Sequence, residues 1–154
     1  MNSHSRSPAG AETAVPHAVR RWVGIVVPVI DSPKDPKTIA DWAAWVGASR
    51  GALRTWCRTA GLRAKPSLSL ARMLRVVVRY PEGSPENLLD FADTRSLENF
   101  LKLGRSDGPS CDLPLGRDEL LVRQRWITDP LALRELGAAL HARDASLHEG
   151  SIGG

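Results

Sequence analysis

Apolar positions along the chain recur three and four residues apart, which is the spacing of helices rather than strands. A first helix begins near Val15 to His17 and aligns Trp22, Ile25, Val26 and Val29 on one face, until Pro28 ends or kinks it. The run DSPKDPK, dense in Pro and Asp, is expected as a loop that buries nothing, leading to a helix capped near Thr38. In that helix Ile39, Trp42, Ala43 and Val46 form the inner stripe, with Trp45 to one side as a candidate for partial burial. Gly47 falls in a tight turn, and SRGALRTWCRTAG, from Ser49 to Gly61, is a further short helix. Ser49 suits its N-cap, and Gly61 suits a left-handed residue after its end. Leu53, Trp56, Cys57 and Ala60 share one face of this helix, while Gly51, Arg54, Thr55 and Arg58 point largely away.

The basic connector LRAKPS follows, and Ser67 or Ser69 opens a helix running to about Tyr80. Leu70, Met73, Leu74 and Val77 pack, and Arg72, Arg75 and Arg79 take the opposite face, where they touch phosphates or keep the helix soluble. YPEGSPEN breaks this helix, and Ser84 to Glu86 starts another. NLLDFADTRSLENFLKLG reads as a degenerate second copy: Leu88, Phe91 and Ala92 match the first inner stripe, and Leu97, Phe100 and Leu101 match Leu53, Trp56 and Cys57. Asp93 or Thr94 caps its second helix, whose outer face carries Arg95, Glu98, Asn99 and Lys102. After a Gly, Ser and Pro-rich loop, two weaker helices are expected, Asp118 to Ile127 and Asp129 to about Arg143. Leu133, Leu136 and Leu140 form a stripe that packs on the main domain or on a second chain, and HEGSIGG should fray.

The pattern therefore predicts an all-α protein: two helix-turn-helix units joined by a long linking helix, plus a small helical C-terminal extension. Residues 1–14 form a polar disordered lead, 15–104 the double helix-turn-helix domain, and 105–154 the linker, extension and frayed tail. At 154 residues and 42% hydrophobic content, the chain is long enough to bury a modest core.

Charge sharpens this picture. The formal net charge is only +4, but no acidic residue lies between Asp41 and Glu82. That window holds eight cations, Arg50, Arg54, Arg58, Arg63, Lys65, Arg72, Arg75 and Arg79, leaving 13 basic against 17 acidic residues elsewhere. A concentrated positive field favours a polyanionic partner. Other chemistry is thinly represented. Cys57 and Cys111 are too far apart for a metal or redox pair, and Cys57 on the packed side reads as a small buried hydrophobe. His4, His17, His141 and His148 are scattered, and no nucleophile has an evident base. No enzyme activity, metal or cofactor is expected. The N-terminus lacks the apolar core of a signal peptide and the Trp22 to Ile30 run is too short to span a bilayer, so a cytoplasmic location without membrane contact is the expectation.

Ala43, Gly47, Leu53 and Trp56 stand at the spacing a helix-turn-helix requires, since a steep helix crossing needs a small residue and its turn often a Gly. In that geometry the second helix enters the major groove of double-stranded DNA, its N-terminal half nearest the bases. Arg50, Gly51, Arg54 and Thr55 lead as base contacts because a guanidinium can fork onto guanine and a glycine allows close approach. Ser49, Arg58, Lys65, Arg72 and Arg75, with Arg95, Asn99 and Lys102 from the second copy, complete the expected DNA-contacting set. Glu82, Glu86, Asp90 and Asp93 weaken the second copy's attraction for phosphates.

From Thr38 to Gly104 these residues resemble the DNA-binding domain of the AraC/XylS-type bacterial transcription regulators. The resemblance rests on DWAAWVGASRGALRTWCRTAGL, SLARMLRVVVRY and LLDFADTRSLENFLKLG. It implies two units approaching successive major grooves on one side of the duplex, with Arg50 to Arg58 and Arg95 to Lys102 as the two recognition helices. The chain departs from that family in an acidic second unit without the usual Gly-Phe turn, and in the absence of a preceding ligand-binding domain, so that small-molecule control within this chain is not expected; besides DNA, the expected partners are a second copy in a homodimer or a separate sensor protein. The alternative is a protein-interaction module on the same scaffold, because a fold does not fix a function.

Overall fold

The computed structural model describes residues 16–79, 89, 93–103 and 116–153. Within them the protein is all-α: α1 (His17–Val26), a 3₁₀ turn (Val27–Asp31), α2 (Ile39–Val46), α3 (Arg50–Thr59), α4 (Ala64–Arg79), α5 (Thr94–Leu103), α6 (Arg117–Arg123) and α7 (Pro130–Gly153). None of the described helices is long and apolar enough to cross a membrane. The N-terminal lead, the YPEGSPEN break, the inner stripe of Leu88, Phe91 and Ala92, Cys111 and the loop after Arg105 lie outside the described residues.

Local sequence accounts for the first half closely. Pro28 sits in the first turn of the 3₁₀ segment, where its missing N–H costs nothing, and it converts the end of α1 into a tighter turn. Thr38 caps α2 by accepting from Asp41 N–H at 3.0 Å. Gly47 ends α2 in the left-handed region, with φ 75°. Its N–H and that of Ala48 reach back to the carbonyls of Ala44 and Ala43, at 3.3 and 2.8 Å. Gly61, with φ 78°, ends α3 in the same way: Gly61 and Leu62 donate to Arg58 and Cys57 at 2.9 Å each. Two consecutive helices closed by one Gly-dependent device fix the exit direction of each.

The core forms where α1, the 3₁₀ turn, α2 and α3 enclose α4. Trp22 and Trp42 are fully buried, and each indole N–H finds an acceptor: Ser67 Oγ at 2.9 Å and the Ile25 carbonyl at 2.7 Å. A buried indole left unpaired would lose about 1–3 kcal/mol. Trp45 stays 42% exposed with its N–H donated to the Pro28 carbonyl at 2.8 Å.

Four expectations require correction. The helix α4 begins at Ala64 rather than at Ser67 or Ser69, because Pro66 is tolerated in a first turn and Ser67 faces the core, donating to the Arg63 carbonyl at 2.6 Å while it accepts from Trp22. The 31–37 loop buries Ser32 and Pro36 and nearly all of the Asp35 side chain, because it lies across α4. The C-terminal stripe packs on the main domain, one of its two expected surfaces. Leu120, Leu121, Ile127, Ala132, Leu136 and Leu140 belong to the same apolar cluster as Trp22 and Val26, with α7 packed on α1 and the 3₁₀ turn, and α6 on α4 and α7. Of the 133–140 stripe, Leu136 and Leu140 are buried and Leu133 is partly so. Finally, α6 stops at Arg123 rather than near Ile127, and α7 runs on to Gly153 through the residues expected to fray. Asp129 starts α7 as expected for a cap, its carboxylate accepting from Leu131 and Ala132 N–H at 2.9 and 3.1 Å.

Candidate nucleic-acid interface

Helix α3 offers the most coherent chemical surface. Ser49 Oγ accepts from Ala52 N–H at 3.0 Å and so sets the first turn. Leu53 and Cys57 are fully buried and Trp56 half-buried, which orients the helix and leaves Arg50, Gly51, Arg54, Thr55 and Arg58 exposed. Burial pushes the Cys57 thiol up to about 11, against an opposing hydrogen bond to Ser67, so Cys57 packs as a neutral group. A Cβ added at Gly51 would meet no heavy atom within 4 Å. Internal packing therefore gives no reason for a glycine there.

Arg54 and Arg58 line a groove of about 680 Å³ with Arg63, just before α4, and with Lys65 and Pro66 from its first turn. Of the expected contacts, then, the structure brings Arg54, Arg58 and Lys65 together and adds Arg63 from the same basic window. Four cations around one concavity raise its positive potential.

Arg72 and Arg75 do not belong to this surface. Both are buried, at 8% and 2% exposure, and the expectation that they reach phosphates is corrected. Arg72 is paired with Asp35 and lies over the Phe100 ring at 5.1 Å. Arg75 donates to the Ser32 and Ile30 carbonyls, and Arg79 donates to the same two oxygens at 3.2 Å each. Burial first, then the charge of Arg79, push the Arg75 guanidinium below its ordinary value, opposed by Asp35 and Asp31. The physical reason is shared. The 3₁₀ turn and the loop after it present unpaired carbonyls and a carboxylate to α4, and three arginines answer them. What reads in the sequence as a solvated face is therefore the seat of a loop.

On α5, Asp93 accepts from Ser96 N–H at 2.7 Å, a hydrogen bond that also holds its carboxyl below the usual range. Leu97 and Phe100 are buried, and Phe100 stacks on Trp126 with centroids 5.5 Å apart. Arg95, Glu98, Asn99 and Lys102 are exposed, as a face of mixed charge.

A second concavity of about 690 Å³ lies on the opposite flank of α3. It is lined by His17, Arg20, Arg21 and Gly24 of α1, by Trp45 and Val46 of α2, and by Trp56. Arg21 sits over the Trp56 ring at 5.4 Å with an Nη2 3.3 Å from His17 Nε2. The adjacent Arg20 and Arg21 just after a helix start were the available sequence signal, and only the fold brings them to α3.

No family model matches the chain, and neither a curated protein nor a solved structure does.

Proposed function

We propose that this protein is a sequence-specific DNA-binding regulator of transcription that inserts α3 into the major groove, with α2 and α3 as its helix-turn-helix. The exposed face of α3 carries the proposal: Arg50, Gly51, Arg54, Thr55 and Arg58 are all accessible, and Arg63 and Lys65 stand at the rim beside them. Arg50 and Arg54 are the base readers, since a guanidinium fork matches the two acceptors on guanine. Thr55 and the bare backbone of Gly51 sit at the closest approach, and Arg58, Arg63 and Lys65 take phosphates. This reading also keeps the likeness of residues 38–104 to AraC/XylS-type regulators, and a cytoplasmic site of action. It assigns the second unit a lesser part, because the α5 face mixes Glu98 with Arg95, Asn99 and Lys102.

The test is selection of bound duplexes from a random double-stranded pool at physiological salt, where specific and non-specific binding separate. Enrichment of a motif supports base reading. Retention that is salt-sensitive but unenriched overturns it in favour of a phosphate grip alone. Absence of retention overturns DNA binding, and a protein partner takes its place.

A further inference from the structure

We infer that the concavity between α1 and the C-terminal end of α2 receives the sugar–phosphate backbone of the second DNA strand bordering the groove, so that α3 is held between two backbone-binding walls. This rests on the major-groove reading of α3. Three observations lead to it. Trp56 lies two residues from both Arg54 and Arg58, and at 3.6 residues per turn both arginines fall about 160° around the helix from it. The groove lined by Arg54 and Arg58 and the concavity lined by Trp56 therefore flank α3 on opposite sides, with Gly51 and Thr55 on the outward arc between them. A helix with its side chains is about 10–12 Å across, close to the roughly 12 Å width of the major groove, so walls on its two flanks are spaced to meet the two strands.

The chemistry of the second wall suits a backbone. It presents His17, Arg20 and Arg21 and no carboxylate among its described lining residues. Arg21 is braced over Trp56 and beside His17, so less side-chain freedom is lost when it meets a phosphate. Trp45 has already spent its N–H on the Pro28 carbonyl, and the residue, 42% exposed and lining the concavity, offers apolar surface against which a deoxyribose can pack. An acid, Glu135, lines a separate cleft together with Arg20, Val23, Ala138 and Ala139, which makes Arg21 the stronger of the two contacts.

The experiment measures binding of a fluorescent duplex, mixed in sequence or carrying a selected motif, by anisotropy across a salt series. The Arg20→Gln/Arg21→Gln variant should lower the slope of log affinity against log salt by about 1.8, at about 0.9 for each phosphate no longer neutralised. Arg20→Lys/Arg21→Lys should restore it, which a purely structural role through Trp56 would not. Trp45→Ala should weaken binding several-fold at every salt concentration without changing the slope, with thermal melting confirming that the variant folds. An unchanged slope in the Gln variant, where Arg58→Gln/Lys65→Gln does lower it, overturns the second wall and leaves the α3 reading standing. Wild-type protein that binds no duplex at all overturns both. Competition by polyglutamate as effective as that by DNA, charge for charge, overturns the second wall in favour of an acidic protein surface.

Discussion

Arg72 grips Asp35 with two parallel hydrogen bonds, from Nε at 2.9 Å and Nη2 at 2.5 Å, across 37 residues of chain. Both side chains are nearly out of water, at 10% and 3% exposure. The pair pins the 31–37 loop to α4 and thereby holds the N-terminal end of α2, which begins at Ile39. Removing one partner takes from the other, still buried, its two-point ion pair. Asp35→Ala should therefore cost about 3 kcal/mol or more in urea unfolding, and Arg72→Met in the same chain should recover part of the loss. A cost under about 1 kcal/mol would place the pair with exposed ion pairs and refute this account.

That pair also marks where the sequence stops being legible. The caps at Thr38 and Ser49, the left-handed Gly47 and Gly61, and the buried stripe of Leu53 and Cys57 are local: each is decided within about one helical turn, and each reads from the sequence alone. The burial of Arg72 and Arg75 and the partial burial of Arg79 depend on which segment covers their face, and the partner segment lies 37 to 49 residues away. Helical periodicity reports that a face is polar, never that another polar segment docks on it. The same limit explains Ser67, whose hydroxyl suited a cap but answers Trp22 from 45 residues away. It explains Leu136 and Leu140 too, since an apolar stripe on a terminal helix does not name the surface it will meet. In the candidate site, the cations of α3 were legible as a face, while Arg21 beside Trp56 required the crossing of α1 over α3.

Cys57 gives a pH dependence of known sign. Its thiol ordinarily ionises near 9.0 and is pushed up to about 11 in the folded chain, with burial as the main cause. Between those values the unfolded chain releases a proton that the native chain keeps, so stability falls as pH rises through the window and is unaffected by this group below it. The urea midpoint of the wild type minus that of Cys57→Ala should thus shrink between about pH 9 and about pH 11. A constant difference across that range would mean that the native thiol ionises normally. Labelling by iodoacetamide at neutral pH should be slow and limited by opening of the fold, because a buried neutral thiol is a poor nucleophile.

Arg54 and Arg75 separate the two uses of arginine in this chain. Arg54 is exposed on α3 and Arg75 is 2% exposed beneath the 3₁₀ turn. Arg54→Ala should leave the melting temperature nearly unchanged and reduce discrimination between the selected duplex and a mutated one by about 1–3 kcal/mol, the worth of one bidentate base contact. Arg75→Ala should do the reverse in kind: it strips donors from the Ile30 and Ser32 carbonyls and should lower stability before it alters specificity. Equal loss of specificity in both variants would argue that Arg54 acts through folding and reads no base.

Gly51 provides the sharpest contrast between stability and function. It occupies the second position of α3, it is exposed, and a Cβ there meets nothing within 4 Å. Its backbone is helical, so an alanine needs no strained conformation, and Gly51→Ala should stabilise the protein by up to about 1 kcal/mol because the unfolded chain loses freedom. On DNA the same methyl group would stand on the outward arc of α3, between Arg54 and Thr55, where the backbone comes closest to the bases. A variant that melts higher yet binds its selected duplex about tenfold more weakly, a difference of about 1.4 kcal/mol, would show that the glycine serves the interface at the expense of the helix. If Gly51→Ala gains stability and keeps full affinity, the closest approach lies elsewhere on α3, and Arg50 and Arg54 must reach the groove without it.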